Sequence, residues 1–531
     1  MSLEGHSPVG HLSCSKLKLD SLFLQWFSLP ESQHLVLRLL DDSKAGRTLG
    51  LNSLAGNKRV SAVSPFHSST PPLSPKKAGP TPQSPSKPSF SPNYRLGVAH
   101  QHSPSAPEAS DDSATNRNLV LPKLYFPEAV DAMRKHLIER TMDFLAPFRE
   151  NLPLLGLKTL LRDTFGLPAS LAYPLIAKLA PGSPDHSVPI VALQTWLSSV
   201  DFMGKGHPNR ALDILRSPDR QYIIPADFRP IMAGILGSHT GLAFLQDSPE
   251  FQDRYAETVV HRIFYALDNS RSGRLTIRDL KKGDLLEALH EVESEEDVNH
   301  CLRYFSYEHF YVIYCKFWDL DNDHDFLLSR EDLLRYSNHS LTYRIADRIF
   351  EGAARPLSSG VQGRMGYEDF VWFILSEEDK TSNTALDYWF RTIDLNGDDL
   401  LTPDELIWFY EEQLGRMECL SQETVCFEDV LSQMQDMLDP EESPYFSMRD
   451  LKKSRALAGT LFNVLFNLNK FVAFETRDPF TVRQEREEAA SGATEWERFA
   501  RTEYLRLAIE EEGAEGVADD GSMPWGSLDG P

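Results

Sequence analysis

Residues 393–406 read IDLNGDDLLTPDEL. Oxygen-bearing side chains stand at every second position, Asp394, Asn396 and Asp398, and Glu405 follows eleven residues after Asp394. Alternating oxygens followed by a carboxylate at the twelfth place describe a loop curled around a hard cation, which takes six to eight oxygens at about 2.3–2.6 Å.

That is the ligand spacing of an EF-hand. Side-chain oxygens occupy loop positions 1, 3 and 5, a backbone carbonyl position 7, often a water position 9, and a bidentate carboxylate position 12. The candidate calcium ligands are Asp394, Asn396, Asp398, the Leu400 carbonyl and Glu405, with Thr402 at position 9 and apolar Leu401 at position 8 for pairing with a second loop. Leu386, Trp389, Phe390 and Ile393 upstream, and Leu406, Phe409 and Tyr410 downstream, repeat at helical spacing and give an inward face to each flanking helix. Asp399 stands at position 6, where glycine is usual, because that residue takes positive φ; aspartate tolerates it better than most residues.

A second loop lies in YCKFWDLDNDHDFLLSREDL. A frame beginning at Asp319 suits the inward face Tyr311, Tyr314, Cys315 and Trp318, but puts Arg330 at position 12, where it would repel the ion. A frame beginning at Asp321 gives the ligands Asp321, Asp323, Asp325, the Leu327 carbonyl and Asp332, with Leu328 at position 8. We take the second frame, since a cation at position 12 is the worse fault. It places Phe326 at the left-handed position, at a cost of about 1–2 kcal/mol, and ends on Asp332, which is shorter than glutamate.

Three degenerate copies begin at Asp268, Ser358 and Asp439. Each has lost carboxylates that an ion needs, so each is read as a structural pairing partner. With only 11 methionines in the chain, a Met-rich groove of the kind sensors expose is not evident. The ion more plainly orders loops that touch something else.

The wider composition agrees. The formal charge is −24, from 54 basic and 78 acidic residues, which argues against nucleic-acid or anionic-membrane binding. Five scattered cysteines without a C-x-x-C pair suit a reducing compartment, and the N-terminal sequence lacks the order of a signal peptide, so a soluble intracellular chain is expected. Within residues 1–118, from VSPFHSSTPPLSPKK onwards, Ser, Pro and Lys crowd out apolar residues, and Ser64, Thr70, Ser74, Thr81, Ser84, Ser91 and Ser103 each precede proline. This stretch is expected to be a disordered segment open to proline-directed phosphorylation, with LFLQWF as a short partner-binding helix inside it. Beyond it apolar residues recur at three- and four-residue spacing, and near the end Thr494 and Glu497 make a capping-box pattern before a face of Trp496, Phe499, Tyr504 and Leu507.

No catalytic constellation emerges. MGKGHP lacks the upstream glycine and the Ser or Thr of a phosphate loop, HEVES lacks the second histidine of a zinc-protease helix, and GSHTG displaces the serine of a nucleophile elbow. The chain reads as a binding protein.

Several long stretches carry a resemblance: LPKLYFPE, YVIYCKFWDLDNDHDFLLSREDL, YEDFVWFILSEEDK, YWFRTIDLNGDDLLTPDELIWFYEEQ, RDPFTVRQE and EWERFARTEYLRLAIEEE. Over residues 118–510 the chain closely resembles the B-double-prime regulatory subunits of protein phosphatase 2A. The resemblance implies a non-catalytic, calcium-tuned subunit of a serine/threonine phosphatase. It would dock on a HEAT-repeat scaffold subunit, hold the catalytic subunit and select phosphoprotein substrates, cell-cycle proteins among them, in nucleus or cytoplasm. It also implies that Leu124, Tyr125 and Phe126 pack on the scaffold; burial in this chain's own core is the competing reading. The rival from the residues alone is a stand-alone calcium sensor that binds target helices. The expected architecture is an all-α, elongated array of EF-hand and degenerate EF-hand helix–loop–helix units. Its parts are a disordered segment (1–118), a helical scaffold-docking part (119–260), one EF-hand region (261–380), a second (381–480), and a C-terminal helix with an acidic tail (481–531).

Overall fold

Helices account for nearly all regular structure in the computed structural model, which describes residues 127–518 apart from 184, 421–422, 442–443, 478–482 and 484–491. The Ser/Pro-rich segment, LFLQWF, Leu124, Tyr125 and Phe126 lie outside the described residues. Among the described residues no helix is long and apolar enough to cross a membrane.

In chain order the helices used below are α1 (Pro127–Leu145), α2 (His207–Leu215), α3 (Arg229–Ser238), α4 (Pro249–Leu267), α5 (Ile277–Lys282), α6 (Tyr307–Leu320), α7 (Arg330–Leu334), α8 (Tyr343–Phe350), α9 (Tyr367–Glu378), α10 (Asn383–Ile393), α11 (Pro403–Cys419), α12 (Phe427–Leu438), α13 (Met448–Lys453), α14 (Arg455–Phe466), α15 (Leu468–Glu475) and α16 (Glu495–Ala518). The strands are two-residue pieces: β1 (Asn151–Leu152), β2 (Val188–Pro189), β3 (Leu327–Leu328), β4 (Met365–Gly366), β5 (Leu400–Leu401) and β6 (Phe446–Ser447).

Local chemistry sets the helix boundaries. Ser382 caps α10 by accepting from the Ala385 amide, and Pro403 begins α11, where a missing N–H costs nothing. Thr402 and Glu405 close a capping box across the same turn, so one sequence element both ends a loop and starts a helix. The inward faces then fill a single core. Leu386, Trp389, Phe390, Ile393, Leu406, Phe409 and Tyr410 are all buried. Trp389 lies wholly inside, its Nε1 donating to the Ser376 carbonyl at 2.7 Å and its ring 4.4 Å from Phe466. Burial of one such side chain is worth roughly 2–3 kcal/mol.

Loops pair through their position-8 residues. Leu328 faces Met365 in the β3–β4 ribbon, and Leu401 faces Phe446 in β5–β6. The 321–332 loop therefore pairs with the Ser358 copy, and the 394–405 loop with the Asp439 copy. The Asp268 copy also has a partner: Leu275 bridges to Ile223, with mutual amide-to-carbonyl bonds of 2.9 Å. Counting back from Ile223 defines a further degenerate loop, 216–227, between α2 and α3. Its acidic spacing is hidden because arginine stands at its first position, although QYIIPADF has the same order of apolar pair, proline and acid as DLLTPDEL.

The C-terminal helix α16 packs on α6, with Tyr504 edge-on to Tyr311 at 5.5 Å and Trp496 against His309. Trp496, Ala500 and Tyr504 are buried and Phe499 and Leu507 partly so, while Thr494 and Glu497 exchange the bonds of a capping box.

Candidate metal centre

In the 394–405 loop helix α10 ends at Ile393 and every candidate carboxylate folds back over the loop. Asp394 accepts the Gly397 amide on Oδ1 at 2.6 Å and the Asp399 amide on Oδ2 at 3.1 Å. Asn396 Oδ1 accepts from the Asp398 amide and Asp398 Oδ1 from the Leu400 amide, both at 2.9 Å. Glu405 reaches across: Oε1 accepts the Leu395 and Asn396 amides, and Oε2 accepts the Thr402 amide and hydroxyl. Gly397 and Asp399 take φ of 74° and 63°, the two left-handed turns that wind the chain around a centre. No basic side chain pairs with Asp394, Asp398 or Glu405 among the described residues.

The 321–332 loop takes the frame beginning at Asp321. Helix α6 runs to Leu320, Leu328 enters the ribbon, and Asp332 closes the capping box with Ser329 at the start of α7. Arg330 turns away to pair with Asp347. Carboxylate oxygens of Asp321, Asp323 and Asp325 all lie within 4.8 Å of one another. Among the described residues Asp394, Asp398 and Glu405 do not come together in this way, and Asn396 stands at the middle position of that loop. Burial, reinforced by Asp323 and Asp325, raises the Asp321 carboxyl above its ordinary range against the opposing Phe326 amide bond. Asp321 is fully buried, and its Oδ1 has no hydrogen-bond partner. A buried oxygen with no donor, facing two more carboxylates, favours a bound cation. An all-oxygen donor set fits a hard divalent ion such as calcium.

The strain expected at position 6 is present and compensated. Phe326 has φ of 60°, and its ring packs on Phe317 at 5.9 Å beneath the Arg254 guanidinium at 4.1 Å. Phenylalanine there fastens the loop to α4, which glycine would not do.

Sequence reading missed the arginines. Asp227, at position 12 of the 216–227 loop, is held by both guanidinium nitrogens of Arg220 at 2.9 and 3.2 Å. Asp369, at position 12 of the Ser358 copy, is paired with Arg355 at 2.6 Å. Asp332 is paired with Arg335 at 2.7 Å. An acid and an arginine a few residues apart are visible in the sequence in each case, but many such pairs never meet.

Comparison with known proteins agrees with this geometry. A family model described as an EF-hand domain matches residues 207–295, and one described as an EF-hand domain pair matches residues 310–411. The chain is 43% identical to the probable B''delta regulatory subunit of serine/threonine protein phosphatase 2A from Arabidopsis thaliana, over 96% of this chain and 94% of that one. It is 42% identical to the corresponding probable B''epsilon protein of the same plant, over 96% of this chain and 93% of that one. A chain from a solved PP2A PR70 holoenzyme is 44% identical, the match covering 50% of this chain and 97% of that chain at a TM-score of 0.47. With near-complete coverage at that identity and paired EF-hand loops, the chain belongs to the B'' family of regulatory, non-enzymatic subunits of serine/threonine protein phosphatase 2A.

Proposed function

We propose that this regulatory protein takes up calcium at the 394–405 and 321–332 loops, and that the ordered loops support its assembly with the phosphatase scaffold and catalytic subunits. The observation that carries the reading is the unpartnered, fully buried Asp321 Oδ1 beside Asp323 and Asp325. Asp321, Asp323, Asp325, the Leu327 carbonyl and Asp332 hold one ion; Asp394, Asn396, Asp398, the Leu400 carbonyl and Glu405 hold the other. Calcium supplies no chemistry to a substrate here. It neutralises clustered carboxylates and fixes the angle between the helices on either side of each loop. The phosphatase partner supplies catalysis, and this chain contributes surface for selecting phosphoproteins. The segment bearing Leu124, Tyr125 and Phe126 contributes to scaffold docking, and the setting is nucleus or cytoplasm.

Calorimetry of the full chain tests the ligand assignment: Asp394→Ala with Glu405→Ala removes one of two calcium sites. An unchanged stoichiometry refutes it. A pull-down from lysate with and without chelator, assayed for phosphatase activity, tests the assembly. Capture of no activity in either condition leaves the rival reading, a sensor of isolated helices.

A further inference from the structure

The position-12 carboxylates are partnered differently from loop to loop: Asp279 receives only the Thr276 amide and hydroxyl, and Asp450 has Lys453 3.8 Å away. Glu405 receives only amides and a hydroxyl, from Leu395, Asn396 and Thr402. Asp227 and Asp369 receive guanidinium groups, in loops that have lost their other acidic ligands. There a permanent internal cation does what an ion does elsewhere. The 321–332 loop has both features: an intact aspartate triad, and an arginine on Asp332.

Arg335 follows directly on α7 and reaches back across the loop mouth. Its Nη2 donates to Asp332 Oδ1 at 2.7 Å and to the carbonyl of Leu320, the last residue of α6. With its amide oxygen turned toward Arg335, Asn322 accepts from Nη2 at 3.2 Å. The other carboxylate oxygen, Asp332 Oδ2, is taken by the Ser329 amide at 2.8 Å and hydroxyl at 2.6 Å. Both oxygens of Asp332 are thus engaged, Oδ1 by a positive charge. A divalent ion at Oδ1 meets the guanidinium as a like charge, and that side chain is 33% exposed and has water to move into.

We propose that Arg335 is a built-in rival of the divalent ion for Asp332, holding the ion-free 321–332 loop closed and giving way when calcium arrives. The proposal rests on the reading that this loop binds calcium, and it adds what controls that binding. A partly exposed ion pair of this kind contributes about 1 kcal/mol or less, so its removal tightens calcium binding by up to about fivefold.

The test uses the full chain carrying Asp394→Ala and Glu405→Ala, so that the 321–332 loop alone responds. Calcium is titrated by calorimetry, and terbium by luminescence sensitised through Trp318, whose ring stacks 3.9 Å from loop residue His324. Arg335→Met is expected to lower the calcium Kd by up to about fivefold, and to lower the melting temperature in chelator while leaving the calcium-loaded melt in place. Arg335→Lys, which keeps the charge and loses the fork, is expected to fall between, and serves if the methionine variant folds poorly. An unchanged or raised Kd in both variants overturns the role of Arg335 and leaves the calcium site standing. Absence of binding with arginine, methionine and lysine alike overturns both.

Discussion

The Ser358 copy offers a sharp test of the idea that a guanidinium replaces an ion. Asp369 has a side chain only 4% exposed and accepts Arg355 Nη1 at 2.6 Å, the Ser358 amide at 3.1 and 2.9 Å on its two oxygens, and the Gly366 amide at 3.2 Å. Arg355 also pairs with Glu368 and lies 4.9 Å from the Trp372 ring. In Arg355→Met the stem can still cover Trp372, but Asp369 becomes a buried carboxylate with amide donors alone. Breaking a buried pair from one side costs about 3–5 kcal/mol, and the remaining amides and the partial exposure of Arg355 place this case near 3 kcal/mol. Loss of the cation over Trp372 adds about 0.5 kcal/mol. For a cooperative unit of this size the total corresponds to a fall of about 4 °C in Tm. Asp369→Asn in the same chain removes the stranded charge and is expected to restore about 2 kcal/mol, read as the coupling in a double-mutant cycle. Differential scanning calorimetry in chelator makes the measurement, and calcium stoichiometry stays at its wild-type value throughout. A fall of less than about 1 °C, or a double variant no more stable than the single one, would refute the internal-cation account.

Other expectations follow from the same geometry. His309 is 3% exposed and accepts from Arg262 at 2.8 Å and Trp496 at 3.2 Å; burial first, then Arg262, holds its pKa well below the ordinary value. The unfolded chain therefore binds a proton below about pH 6.5 that the folded chain refuses, and stability falls by about 1.4 kcal/mol per pH unit as the medium is acidified. His309→Gln should flatten that slope in calorimetric melts between about pH 6.5 and 5.5, and an identical slope in the variant would remove His309 as its source. At the two left-handed position-6 residues glycine should act in opposite directions. Asp399→Gly relieves positive φ with little packing to lose and is expected to raise stability by about 0.5 kcal/mol. Phe326→Gly also relieves φ but gives up the contacts with Phe317 and Arg254, and is expected to cost about 2 kcal/mol net. Equal effects in urea titrations would show that Phe326 packing does not fasten its loop.

The EF-hand loops were legible in the chain itself, because their defining residues are near neighbours and their spacing is set by covalent geometry. The helix faces around Trp389 and Tyr504 were legible for the same reason, since a 3.6-residue period is a local property. The partner segment at Leu124, Tyr125 and Phe126 lies beyond the described residues, so its role rests on resemblance.

Other features depended on how distant elements meet. Two frames, at Asp319 and at Asp321, both satisfy local periodicity; the end of α6 and the pairing of Leu328 with Met365 select the second. Ile223 and Leu275 lie far apart in the chain, and only the packing of their helices brings position 8 of one loop to position 8 of the other. Least visible of all were the arginines on Asp227, Asp332 and Asp369. Acidic spacing is written residue by residue, whereas the reach of Arg220, Arg335 or Arg355 depends on rotamer, burial and helix angle. Local sequence therefore determined where the acidic loops lie, and the tertiary fold decided which of their last acids meet an arginine.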